Sequence, residues 1–337
     1  MKILFLPQTC ELGPSSRYRV YQLLEKLPFH YEVSPAIDTP LYEALYLAGN
    51  VSKLTALRAV WRHRQADLRR AGDFDVVFIQ KGFFPGLYAG LETRLRRPFV
   101  FDFDDAIWLP RQGGSALARA LHRESTVQRI LRCAAAVITG NEFLADYARR
   151  FNANVTAVPT AIDVARYPRA VGSAVVGWIG SRTTLPYLKP LVPVFRELGI
   201  VPRVIAAGTP DFPADFRPWR LETELDELAQ IGIGIAPLTD TPWERGKCGV
   251  KVLQYMACGL PVVASPVGVH RRIIRHGENG FLAASPAEWR NALRQLMDDP
   301  ALRQRLGAAG RALVTECYDV SLAASRVAKV LEASAHT

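Results

Sequence analysis

Val175-Val-Gly-Trp-Ile179 is a short apolar run, followed at once by Gly180-Ser181 and lying halfway along a chain of 337 residues. Apolar, β-branched runs of this length bounded by turn residues read as buried strands. An equivalent series has already begun at Lys2-Ile-Leu-Phe-Leu6 and continued through Val76-Val-Phe-Ile79, Phe99-Val-Phe-Asp102 and the run 135–139, with helical stretches near 17–27, 117–132 and 141–150. At Val175 the pattern restarts. Strands at Val204–Ala207, Ile231–Ala236 and Pro261–Ala264 alternate with helical stretches near 185–198, 222–229, 248–258 and 287–297. Strand–helix alternation of this kind predicts parallel sheets covered on both faces. The expectation is an α/β chain with two Rossmann-like, doubly wound domains facing across a cleft. They cover 1–165 and 166–318, with Asp163–Ser173 as the linker and a last helix within 319–334.

Composition narrows the classes. The apolar share of 49% and charged share of 22% suit a globular protein, and the length suits two domains. The net charge of +10 divides evenly between residues 1–165 and 166–337. A nucleic-acid binder more often concentrates its charge in one arm or stripe, so anionic small molecules or lipids are the expected partners. Cys10, Cys133, Cys248, Cys258 and Cys317 have no metal-ligand spacing, which argues for a reduced, cytoplasmic setting. The apolar opening stops at Pro7, too early for a signal-peptide core. The longest uncharged run, Val252–His270, contains glycines and prolines that a lipid-spanning helix would not favour. The inner face of a membrane remains a second location. His30, His63, His122, His270, His276 and His336 form no cluster, and no metal ligands are assigned among them.

In doubly wound sheets, ligands bind at the carboxyl ends of strands, where loops meet helix N-termini. The loop richest in chemistry runs from Glu244 through Gly246-Lys247-Cys248-Gly249-Val250-Lys251 into a helix carrying Gln254. The glycines let backbone amides approach a ligand, and the helix N-terminus and the lysines supply positive charge. Read as one helix, Lys247 and Lys251 share a face, a repulsive pairing unless an anion such as a diphosphate neutralises it. A solvated basic helix face accounts for the same residues.

This region resembles the donor-binding part of the large retaining glycosyltransferase family 4. The resemblance rests on Tyr255-Met-Ala-Cys-Gly-Leu-Pro-Val-Val-Ala-Ser-Pro-Val-Gly268 and Gly277-Glu-Asn-Gly-Phe-Leu282. It extends to Val158-Pro-Thr-Ala-Ile-Asp163 and Gly177-Trp-Ile-Gly-Ser181. It implies a GT-B architecture with an N-terminal acceptor domain, a C-terminal nucleotide-sugar domain, and a final helix returning to the first. It also implies a nucleotide-diphosphate sugar as co-substrate and retention of anomeric configuration. Where the family has two glutamates eight residues apart, this chain has Gly246 and Gln254. Gln254 keeps an amide for ribose hydroxyls. Gly246 has no side chain to touch the donor sugar, so that role falls to Glu244 or to backbone amides.

Three further clusters complete the reading. Phe101-Asp-Phe-Asp-Asp-Ala-Ile-Trp108 places three carboxylates within four residues, so either a nearby cation balances them or one carboxyl has a raised pKa. Its Asp102-Phe-Asp104 also resembles the metal-binding Asp-X-Asp of the other main glycosyltransferase fold, and helix capping is a plainer use. By resemblance, Asp104 and Asp105 face the reacting carbon. Gly13-Pro-Ser-Ser16-Arg17-Tyr-Arg19 puts two cations in a first helical turn, where the dipole disfavours them, so an anionic group is one expected partner and solvent the other. With Lys81 they form the expected acceptor wall. Gly180, Ser181 and Arg182 open the second domain and are expected at the donor phosphates. Lys53–Arg70 sets six basic residues against Asp67, with Leu54, Leu57, Trp61 and Leu68 roughly on one face. That face either packs on the core or rests on an anionic membrane.

The expected function is metal-independent sugar transfer from a nucleotide-diphosphate sugar to a glycan, lipid-linked or small-molecule acceptor, with no cofactor and no nucleic acid. Lys247, Lys251 and Arg182 would neutralise the leaving group in place of a metal. The rivals are a sugar-nucleotide epimerase or hydrolase on the same frame, and a non-catalytic basic binding protein.

Overall fold

The computed structural model describes residues 1–82, 91–95, 97–110, 124–170 and 172–336. The expected helix 117–132 is described from Glu124 onward, as Glu124–Cys133; its first residues lie outside the described set. Contacts divide the chain into two units. The first is Met1–Thr160 with Gly246–Cys248 and Val320–Thr337, and the second is Ala161–Arg245 with Gly249–Asp319.

The first unit holds a parallel sheet of β1 (Lys2–Leu6), β2 (His30–Val33), β3 (Val76–Gln80), β4 (Phe99–Phe103), β5 (Ala136–Thr139) and β6 (Val155–Ala157), in the order β2-β1-β3-β4-β5-β6. β1 lies at the switch point, flanked by β2 and β3, with Phe5 level with Val33 and Phe78. Residues of β3 and β4 are buried throughout, which is why these strands read as unbroken apolar runs. The helix Val320–Ala335 packs on this unit, against the helical segment 14–24 and strands β3, β4 and β5. Its buried face is Ala323, Ala324, Val327, Ala328 and Leu331, while Leu322 points outward at 44% exposure.

The second unit holds β7 (Val176–Gly180), β8 (Arg203–Ala206), β9 (Asp215–Pro218), β10 (Ile233–Ala236), β11 (Val262–Ala264) and β12 (Phe281–Leu282), in the order β12-β11-β10-β7-β8-β9, again all parallel. Counting from β7, this is the order of a dinucleotide-binding sheet, with its switch point between β7 and β10. Those two strands pair only at Ile233–Val176 and Gly234–Gly177. Beyond that, the buried Tyr255 hydroxyl takes the Ile179 N–H at 2.9 Å and donates to the Ile235 carbonyl at 3.3 Å. Gly234 has to be glycine there, since a Cβ would lie 2.4 Å from the Tyr255 ring.

The helix Lys53–Arg70 corrects one expectation. Its buried positions are Ala56, Val60, Arg64 and Asp67. Arg64 pairs with Asp67 at 2.8 Å and donates to the carbonyls of Pro7 (2.8 Å) and Ser34 (2.7 Å). Leu54, Leu57 and Trp61 therefore do not face the core: they are 57%, 39% and 47% exposed.

Candidate functional site

In the first unit, the segments following β1, β3 and β4 meet the helical segment 14–24 at the carboxyl edge of the sheet. Gly13 precedes that segment with no room for a side chain, a Cβ there lying 2.0 Å from Thr9 Oγ1. The tight approach sets Ser15 and Ser16 against β3. Ser16 Oγ donates to Gln80 Oε1 at 2.9 Å, and Gln80 Nε2 donates to Ser15 Oγ at 2.7 Å. Ser15 Oγ in turn meets both carboxylate oxygens of Asp104, at 2.7 and 2.8 Å.

Two cations, Arg19 and Lys81, meet the three carboxylates of the acidic cluster, and burial pushes the Asp102 carboxyl up, so both outcomes its sequence poses are present. Lys81 Nζ lies 2.9 Å from Asp104 and also bonds Asp105. Burial works against the Lys81 ammonium, but Asp104 and Asp105 outweigh it and hold it above the ordinary lysine range. Lys81 is the only non-glycine residue with positive φ (62°) among the described residues, a strained conformation of the kind that gathers at functional sites. Its N–H donates to the Asp102 carbonyl at 2.7 Å, which fixes it at the end of β3.

Arg19 departs from its expected role. Its guanidinium pairs with Asp102 through Nη2 and, at 3.2 Å, through Nε, while Nη1 donates to the Val158 carbonyl at 2.6 Å. Arg19 is 3% exposed and Asp102 fully buried. Asp102 holds the Arg19 guanidinium above its usual range against the opposing effect of burial. This cation is committed to the interior and does not line an acceptor wall. Arg17 is buried as well, with its guanidinium 5.0 Å from the Tyr18 ring.

Gly246 and Cys248 also sit elsewhere than a single donor helix would put them. The segment Gly246–Cys248 belongs to the first unit. A Cβ on Gly246 would lie 2.9 Å from the Ala106 nitrogen, so the chain passes directly over the Asp104–Ala106 turn. Cys248 Sγ lies 3.3 Å from the Asp104 carbonyl, and burial pushes its thiol far up, leaving it protonated. Asn141 secures the segment. Its Oδ1 caps the helix Glu142–Arg149 by accepting from Leu144 N at 3.0 Å, and its Nδ2 donates to the Gly246 carbonyl at 2.9 Å. Read from sequence, 141–150 is a helix only, with neither of these two roles marked.

In the second unit the helix is Val250–Ala257, preceded by Gly249 in the left-handed region at φ 71°. Lys247 lies outside it, so Lys247 and Lys251 do not share a helical face, and they fall in different units. Lys251 Nζ stands 5.3 Å from the centre of the Trp178 ring. That ring covers Gly180, where a Cβ would meet it at 2.4 Å. Lys251 is thereby drawn to the end of β7, beside the turn Gly180–Thr184. In that turn Ser181 N–H donates to Thr184 Oγ1 at 3.1 Å, and Arg182 is exposed.

Among the described residues of this unit two carboxylates are buried, Glu244, which the sequence singles out, and Glu224, which it does not. Glu244, 2% exposed, accepts from the hydroxyls of Tyr187 and Thr241. Glu224, which no motif singles out, accepts from Gln254 Nε2 at 3.0 Å and from Trp219 Nε1 at 2.5 Å. The amide donor of Gln254 is thus turned towards Glu224. His270, buried after β11, lies with Nδ1 3.0 Å from the Ser265 carbonyl, and burial lowers its pKa to about 4, Lys251 adding to the effect.

Two parallel sheets of this order, with charged and glycine-rich turns at their switch points, define the GT-B class of two Rossmann-like domains. Residues 18–161 match the family described as "Glycosyl transferase 4-like domain", and residues 211–299 match "Glycosyl transferases group 1". The chain belongs to this glycosyltransferase family. Phosphatidyl-myo-inositol mannosyltransferase of Mycobacterium leprae is 41% identical over 86 residues, 25% of this chain and 23% of that protein. D-inositol 3-phosphate glycosyltransferase of Thermobispora bispora is 36% identical over 99 residues, 28% and 22% of the two chains. The matched stretch spans less than a quarter of the length of these relatives. Among solved structures, Anabaena HepE in complex with UDP-glucose aligns over 98% of this chain and 99% of its own, with a TM-score of 0.75 at 17% identity. Sucrose-phosphate synthase from Thermosynechococcus elongatus aligns over 98% of both chains at 0.74 and 15%. At these identities the likeness establishes the fold.

Proposed function

We propose that this chain moves a sugar from a nucleotide-diphosphate sugar to a glycan, lipid-linked or small-molecule acceptor, with retention of configuration and without a metal ion. The observation that carries the reading is the convergence of Gly180, Trp178 and Lys251 at the switch point of the second sheet, where such sheets take nucleotides. The matched relatives are inositol and phosphatidylinositol glycosyltransferases, and a structural neighbour holds UDP-glucose. In this reading the diphosphate lies on the Gly180–Thr184 turn and on Gly249, Val250 and Lys251. Lys247 and Arg182 supply further positive charge as the bond from anomeric carbon to diphosphate breaks. The acceptor oxygen bonds that carbon, and its proton leaves with the nucleoside diphosphate.

We assign the catalytic carboxylates to Asp104 and Asp105, and Lys81 bonds them both. That single ammonium offsets part of their charge. The Gln254 carbonyl remains an acceptor for ribose hydroxyls. Gly13, Ser16, Arg17 and Lys81 are assigned to the acceptor side, where Ser16 bonds Gln80 and Lys81 bonds Asp104, and Glu244, held by Tyr187 and Thr241, takes the donor sugar. Contact with an anionic membrane through residues 53–70 brings the enzyme to a lipid-linked acceptor.

The test is transfer with EDTA present. Lys247→Ala and Lys251→Ala should each raise the barrier by about 2–4 kcal/mol, without unfolding the protein. Wild-type turnover in both variants, or activity that vanishes with EDTA and returns with manganese, contradicts this reading. Turnover of the nucleotide-sugar with no acceptor favours the epimerase or hydrolase.

A further inference from the structure

Nine large apolar side chains are exposed among the described residues, and five of them are Tyr46, Leu47, Leu54, Leu57 and Trp61, within a single stretch of chain. They sit on a helical hairpin formed by residues 39–47 and the helix Lys53–Arg70. At 3.6 residues per turn, Leu54, Leu57, Trp61 and Leu68 fall within roughly 60° of arc on that helix. Arg58, Arg62 and Arg69 occupy the adjoining strip, all three exposed. The helix carries a single acid, Asp67, and it is buried against Arg64. The two limbs enclose a groove of about 560 Å³ whose lining is mostly apolar, Leu41, Ala44 and Val51 among it, with Asp38, Arg62 and His63 as its charged or titratable members. The exposed side of this helix is therefore an apolar ridge with a cationic border and no acid, the nearest acids being Asp38 in the groove and Glu43 on the other limb.

We infer that this face is a docking surface for an anionic lipid bilayer, with Leu54, Leu57 and Trp61 entering the acyl boundary and Arg58, Arg62 and Arg69 meeting headgroup phosphates. Charge complementarity selects the occupant: a protein or a second copy would have to bring acids to the arginines, whereas an anionic membrane presents them everywhere. The anchoring of the helix gives the contact a purpose. Arg64 ties its inner side to the carbonyls of Pro7 and Ser34, which follow β1 and β2. Pro7 opens the loop that leads to Ser15 and Ser16, so the lipid face and the network around Asp104 belong to the same edge of one sheet. This inference deepens the membrane contact proposed above and does not depend on donor binding.

The test is co-sedimentation of the full chain with phosphatidylcholine vesicles, with and without phosphatidylglycerol. The expected result is binding to the anionic vesicles alone, weakening as salt rises. Arg58→Ala and Arg62→Ala should each lower the partition coefficient about fivefold. Leu57→Ala with Trp61→Ala should lower it at least tenfold, with an unchanged melting temperature, since neither side chain is in the core. No binding to anionic vesicles, or unchanged binding by these variants, overturns the inference. A wild-type dimer that Trp61→Ala converts to a monomer also overturns it, because a second copy would then cover the face. No nucleotide-sugar is present, so the result stands whichever way the transferase reading falls.

Discussion

Replacing Arg19 by alanine separates a structural cation from a ligand-binding one. The guanidinium makes three interior contacts, two to the fully buried Asp102 and one to the Val158 carbonyl. Its removal leaves a fully buried carboxylate without its ion-pair partner, with only the more distant Lys81 as counter-charge. Breaking a buried pair from one side typically costs about 3–5 kcal/mol, a large part of the stability of an ordinary domain. The loss should depend on pH with a definite sign. Burial already pushes the Asp102 carboxyl up, with Arg19 pulling against it, so without Arg19 the folded-state pKa climbs further. A group with a raised folded pKa contributes stability in full below its unfolded pKa and loses it as pH rises through the folded value. The deficit of Arg19→Ala should therefore be smaller near pH 5 than near pH 8. Urea unfolding of both proteins at the two pH values measures it. Wild-type stability in the variant, together with a raised KM for acceptor, would refute the interior assignment and restore Arg19 to the acceptor wall.

Two other perturbations follow from the same structure. His270, neutral and lowered to about 4 in the folded state, contributes stability that is complete above pH 6.5 and fades as pH falls towards 4, by at most roughly 3 kcal/mol; His270→Gln should flatten that limb of the urea midpoint against pH, and parallel profiles would contradict it. Truncation before Ser321 uncovers the faces that bury Val327 and Leu331 and should cost about 3–6 kcal/mol while sparing nucleotide binding; an unchanged melting temperature would mark the helix as an idle tail.

The central strands were legible because a strand covered on both faces has to be apolar throughout. β2, β6, β9 and β12 were not. They are edge strands of two to four residues, too short for a strand period to show; β2, β6 and β9 are also partly to mostly accessible, while Phe281 of β12 is buried. The partners of charged side chains were hidden for a different reason. Arg19 meets Asp102 and Lys81 meets Asp105 across long separations in sequence, which only strand order brings together. The helix Lys53–Arg70 misled through its own pattern. A buried Arg64–Asp67 pair looks like a polar face, and an exposed apolar ridge looks like a core face. Likewise, the i,i+4 spacing of Lys247 and Lys251 carries no geometry once Gly249 turns left-handed between them. Glu224 escaped notice because nothing near it in sequence marks a ligand, and only packing sets it beside Gln254.

The most direct measurement is a thermal-shift panel of nucleotide-diphosphate sugars on the purified full chain in EDTA. One member of the panel should stabilise the protein, by about 2.7 kcal/mol at a hundred times its dissociation constant, and Lys251→Ala should abolish the shift. A panel in which no nucleotide-sugar moves the transition, or in which Lys251→Ala responds like the wild type, would contradict a donor site at the β7–β10 switch point.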